Sequence, residues 1–273
     1  MVSNLLEADV ERVLDAAFAG DDEEVVVVDP SAETIAALIE AATAREDLPS
    51  MSMLAADSEL ASVMDDFLAA STAADLVADE ALGIRLLPDD VDNALFVSPS
   101  KLVVLVSADD RVAALSTDDA EFVGEVFETN RAAFDDAAEY DLRTPAISRV
   151  RETMAAEIDA ATRDDFDALL ASVEAARGSD AIDEVTASLL VAAKNDVLLY
   201  DISKWGEDVG IASKATFSRT KTRLEDAGLV DTEKVPIDVG RPRLRLKLGD
   251  ERLRGVDAAD LADVATEMLS SRS

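Results

Sequence analysis

The chain has 273 residues and a net charge of −34, from 59 acidic and 25 basic side chains, with no cysteine and no histidine. Disulfides, thiolate metal sites, cysteine nucleophiles and the imidazole base are therefore excluded. Hydrophobic residues make up 49 % but aromatics only 4 %, so the cores are built of Ala, Val and Leu, and the chain is not a disordered polyanion. The length suggests two or three domains. The acids are spread along helical faces, which reads as adaptation to very high salt, where screening cuts the reach of repulsion to about 3 Å.

In chain order, residues 1–18 place Leu5, Leu6, Val10, Val13, Leu14 and Phe18 at helical spacing, with Gly20 after them. Val25–Val28 reads as a short buried strand, and Asp29-Pro30-Ser31 feeds a helix capped by Ser31. Met51–Leu54 is a second strand. Residues 57–81 carry one long helical pattern with a break near Ser71-Thr72. Residues 84–87, 94–97, 101–107 and 111–116 read as strands, the last two joined in a hairpin around Ala108-Asp109-Asp110, and 117–138 is an amphipathic helix. This alternation predicts an α/β domain over 1–140 that senses a small-molecule effector or oligomerises. Two helices over 145–177, closed by Gly178, predict a helical connector over 141–180 and a candidate homodimer seam. Arg45, Arg85, Arg111 and Arg131 are too scattered to make a basic pocket.

The charge changes sign near the end. Residues 1–199 hold 12 basic and 45 acidic side chains, whereas 211–247 hold 9 basic and 5 acidic, a net of +4. The pattern there predicts a winged helix-turn-helix domain over 181–255, with 256–273 as a C-terminal helix or tail. A first helix spans Asp183–Asn195, Ile202, Trp205 and Val209 mark a second, and Gly210 turns the corner. Ser213 caps a third helix running to about Ala227. On the third helix Phe217, Thr220 and Leu224 share one face, while Ala215, Ser218, Arg219 and Thr222 point the other way, with Arg223 at the margin. Small, hydroxyl and guanidinium groups suit a helix that enters a major groove, with Lys214 beside a phosphate. In "RLRLKL" Leu244, Leu246 and Leu248 alternate with Arg243, Arg245 and Lys247, and the Gly240-Arg241-Pro242 tip offers an arginine to a minor groove. The expected DNA-binding set is thus Ser213, Lys214, Ala215, Ser218, Arg219, Thr222, Arg223, Arg241, Arg243 and Arg245. Glu225, Asp226 and Asp231 flank this face and are placed to hold cations near phosphates. The expected partner is double-stranded DNA, bound by a homodimer.

The segment "LLYDISKWGEDVGIASKATFSRTKTRLEDAGLVDTEKVPIDVGRPRLRLKLGDERLR" resembles the winged-helix end of the haloarchaeal regulator family called TbsP. "SNLL", "VVVVDPS" and "MDDFLAASTAADLVADEAL" are similar to that family too, so the resemblance spans most of the chain. It implies a DNA-binding transcription regulator associated with control of central sugar metabolism.

The rival readings are weaker. An enzyme in the first domain would draw on Asp29 and Ser31, Asp65-Asp66 or Asp109-Asp110. These read instead as a helix cap, a solvated face and a turn, and there is no glycine-rich phosphate loop or nucleophile elbow. No catalytic residue, metal ligand or cofactor is expected. A winged helix that docks on the transcription machinery without touching DNA is the alternative function. No 18-residue apolar run exists and the first residues lack a basic-then-apolar leader, so the chain reads as cytoplasmic, with no membrane partner.

Overall fold

The computed structural model describes residues 3–6, 24–44, 49–88, 93–108, 111–175, 182–236 and 242–270. They form two compact units, Met1–Leu142 and Arg143–Ser273.

The first unit is α/β. Its seven-stranded sheet runs in the order β1-β7-β6-β5-β2-β3-β4. β2 (Glu24–Val28), β3 (Ser50–Ala55) and β4 (Leu82–Leu86) are parallel neighbours. Their crossovers are α1 (Ala32–Ala44) and the pair α2 (Asp57–Met64) and α3 (Phe67–Ala78). β5 (Leu95–Val97), β6 (Leu102–Ala108), β7 (Arg111–Thr117) and β1 (Ser3–Leu6) extend the sheet in antiparallel pairs. α4 (Ala120–Asp136) follows.

Helices on both faces explain why Val25–Val28 is apolar without alternation. Val25 and Val27 join Ile35, Leu38, Met53 and Leu60 in one core. Val26 and Val28 join Leu54, Val97, Val123 and Phe134 in the other. Ser31 caps α1 as expected, its Oγ accepting from the Thr34 amide at 3.3 Å, and the Glu59 carboxylate accepts from the Ala32 amide at 2.6 Å. Ser31 and the free amide of the first turn are thereby engaged in holding the helix.

Two sequence expectations change. Residues 3–6 are a strand, not the start of a helix: Ser3–Leu6 pairs with Ser116–Ala113. The outer edge of β7 otherwise presents unpaired amides and carbonyls, and pairing overrides a weak helical spacing. Residues 7–23 lie outside the described residues. The break expected near Ser71-Thr72 falls at Asp65-Asp66 instead. Asp66 is extended (φ −78°, ψ 119°) and its carboxylate accepts from the Ala69 amide at 2.8 Å, so the cap opens a new helix there, and Ser71 is buried inside it. The β6–β7 hairpin forms as expected, Ala108 opposite Arg111, with Asp109-Asp110 outside the described residues.

Arg85 and Arg131 are structural. Arg85 donates to the Phe134 carbonyl at 2.9 Å and stacks on the Phe134 ring, closing the end of α4, while Arg131 pairs with Glu24 at 2.7 Å.

The second unit contains α5 (Ile147–Glu157), α6 (Ala160–Ala175), α7 (Glu184–Lys194), α8 (Leu199–Val209), α9 (Lys214–Asp226), the hairpin β8 (Val230–Val235) and β9 (Arg243–Leu248), and α10 (Ala258–Ser270). α7 is the axis of this unit: every residue from Val185 to Ala193 is buried. α6 packs on α7 and α10, and α5 packs on α6 and α8. The helices of 145–177 and the C-terminal helix thus sit in the same compact unit as the helix-turn-helix. Their apolar residues explain it, because Ile147, Val150, Met154, Phe166 and Leu169 are all buried there, as are Leu261, Ala265 and Met268. Lys194 on α7 pairs with Asp165 on α6 at 3.0 Å, and Arg151 on α5 with Asp167 at 2.6 Å. Trp205 on α8 is buried and donates its indole N–H to Thr153 Oγ1 on α5 at 3.0 Å.

Candidate nucleic-acid interface

α8, the corner and α9 form the expected helix-turn-helix. Gly210 ends α8 in the left-handed region (φ 99°), and the Ile211 amide reaches back to the Gly206 carbonyl at 2.8 Å. Nothing lies within 4 Å of a Cβ added at Gly210, so the demand there is backbone conformation and not space. Gly210→Ala is expected to cost about 1–2 kcal/mol, read as a lowered denaturation midpoint. An unchanged midpoint would show that the corner does not need this backbone.

Ser213 starts α9, its Oγ accepting from the Thr216 amide at 3.2 Å. Phe217 and Leu224 are fully buried, and Ala215, Ser218, Arg219 and Thr222 are exposed together, as the spacing predicts. Gly206 gives α9 its close seat, since a Cβ there would collide with the Phe217 ring.

The electrostatics of the face are less free than the sequence suggests. Lys214 is ion-paired with Glu207 of α8, and its amide also donates to Glu207 Oε1 at 3.2 Å. The hydrogen bond from Lys214 holds the Glu207 carboxyl below its ordinary range, and the same bond raises Lys214. Arg223 donates to Thr186 Oγ1 at 2.9 Å and lies 3.7 Å from Asp183, bracing α9 against the start of α7. Lys221 is mostly covered and pairs with Glu225 at 2.7 Å. Arg219 has no carboxylate partner among the described residues and only touches Thr216 Oγ1 at 3.3 Å.

On the wing, Leu246 and Leu248 are buried and Leu244 is half-buried. Arg243 stacks on the exposed ring of Tyr200 and lies 3.4 Å from Asp201, Arg245 lies 4.0 Å from Glu233, and Lys247 pairs with Asp196 at 2.7 Å. Arg241 lies outside the described residues. α9 therefore gathers Ser213, Lys214, Ala215, Ser218, Arg219, Thr222 and Arg223 on one element, with Arg243 and Arg245 on β9. The carboxylate partners were not foreseen. The Lys221–Glu225 pair, four residues apart on one helix, and the Glu207–Lys214 pair, seven apart across the corner, are the ones with a local trace in the sequence.

The comparisons with known proteins agree with this division. Residues 2–145 match the family model "Transcriptional regulator TbsP-like, N-terminal", and residues 146–266 match "Transcriptional regulator TbsP-like, C-terminal HTH domain". No curated protein matches. Among solved structures, TrmBL2, an archaeal chromatin protein, shares 14 % identity over 51 % of this chain and 54 % of its own, at a TM-score of 0.38. Nuc, a phospholipase D family member of Salmonella typhimurium, shares 9 % over 51 % and 96 %, at 0.35. The chain thus spans about half the length of TrmBL2, and at these scores neither likeness carries an argument.

Proposed function

The chain belongs to the TbsP-like transcriptional regulators, and on that premise we propose that it binds operator DNA through the exposed face of α9. The observation that supports this reading is the face itself: Ala215, Ser218, Arg219 and Thr222 are exposed side by side on a helix seated by a buried Phe217. Small and hydroxyl side chains allow close approach to a major groove, and an arginine without a carboxylate partner is free to grip a guanine edge. Lys214 and Arg223 take phosphates on either side, Arg243 and Arg245 a flanking backbone, and Arg241 a minor groove.

The functional form is a homodimer on an inverted repeat, its two α9 helices about 34–36 Å apart or a multiple of that. Any seam on α5 and α6 would use their polar faces, because their apolar residues are spent within the unit. Sedimentation at molar salt is expected to show the dimer, and a monomer at working concentration removes it. By resemblance, the genes controlled are those of central sugar metabolism in a halophilic archaeon. The N-terminal α/β unit takes the metabolite effector, and the regulator works in the cytoplasm. Genome-wide mapping of bound DNA tests the reading: sharp peaks that share a repeat and vanish in Arg219→Ala support it. Equal occupancy of the variant would transfer support to docking on the transcription machinery, for which the exposed Tyr200 is a favourable feature.

A further inference from the structure

Most of the described cations of the proposed DNA face already have anions. Of Lys214, Arg219, Arg223, Arg243 and Arg245, four lie within 4.0 Å of a carboxylate on another element: Glu207, Asp183, Asp201 and Glu233 respectively, with Arg219 the exception. The partners come from α8, the start of α7 and β8, so the arrangement is not one acidic cluster but a separate carboxylate beside each of four cations.

An ordinary basic face meets DNA with its cations free, and each contact expels a condensed counterion from the duplex. Here a phosphate must first displace the resident carboxylate. The displaced group then sits beside a polyanion, inside a protein that already carries −34 charges. The carboxylate side chains are 40 to 60 % exposed, so an ion from solution can reach them. Resting on the DNA-binding reading above, we infer that DNA binding by this protein is coupled to uptake of monovalent cations at Glu207, Asp183, Asp201 and Glu233, which offsets the counterions released from the duplex.

The consequence is measurable as a salt slope. Four free phosphate contacts would give a slope of log affinity against log salt of about −3.6 per protomer, whereas full cation uptake at the four carboxylates brings it near zero. From about 0.2 to about 1 M KCl, affinity then changes little per protomer instead of falling about three-hundred-fold. The probe is a duplex that the full chain selects from a random pool, with binding followed by fluorescence anisotropy and folding checked at each salt by circular dichroism.

Two variants identify the cause. Glu207→Gln and Asp201→Asn each free one cation, and each is expected to steepen the slope by about 0.9 per protomer. Asp263→Asn, exposed on α10 and in none of these four ion pairs, changes net charge equally and is expected to leave the slope alone. A steep slope in the unaltered chain overturns the inference, and so does equal steepening by all three variants. If no duplex is selected at any salt, the DNA-binding reading fails first and the coupling with it.

Discussion

Replacing Phe217 by alanine is expected to cost the protein about 3–5 kcal/mol. The ring is fully buried and lies where a side chain on Gly206 would otherwise be. Its removal leaves a void between two helices. The void cannot close, because the Gly210 corner and the Ser213 cap fix where α9 starts relative to α8. Domains commonly have only about 5–15 kcal/mol of total stability, so the loss is large. Chemical denaturation in molar KCl, followed by circular dichroism, reads it. A cost under about 1 kcal/mol would mean that α8 and α9 are not spaced by this ring. Phe217→Leu, which keeps most of the volume, is expected to recover much of the loss.

Arg219→Ala is expected to do the reverse: to leave stability within about 0.5 kcal/mol, as exposed positions do, while weakening operator binding by about 1–3 kcal/mol, or about 5- to 150-fold. Its contact to Thr216 is weak and its side chain is solvated, so little in the fold depends on it. Lys214→Ala is expected to lose less, because that lysine must leave Glu207 before it reaches a phosphate. Arg219→Lys separates charge from shape, since an ammonium cannot make the bidentate contact. Full binding by Arg219→Ala would place the recognition surface elsewhere than α9.

The architecture was readable where a pattern has one physical meaning. Val25–Val28 between turn residues means a buried strand, and Phe217 with Leu224 on one side of Ala215, Ser218 and Thr222 fixes which side of α9 faces out. Legibility failed where local signals compete with partners distant in sequence. Leu5 and Leu6 fit a helix by spacing, but the open edge of β7, over a hundred residues later, decides for a strand. The α2–α3 break depended on whether Asp66 or Ser71 turned its side chain back to an amide, and both residue types can do so. For the candidate face, the cations were visible and their neutralisation was not, because Asp201 meets Arg243 and Asp183 meets Arg223 only after folding. Arg243 and Arg245 alternate outward as the strand period requires, yet each meets an acid that no period indicates.

The bond between Trp205 and Thr153 has an optical consequence. Trp205 is the sole tryptophan of the chain, so all indole emission from this protein originates at one seam, where α5 meets α8, the first helix of the helix-turn-helix. Its wavelength reports the polarity and hydrogen bonding of that seam and of nothing else. A ligand or partner that shifts α5 against α8 changes the colour of an unlabelled protein, whereas one that leaves the seam intact is spectrally silent.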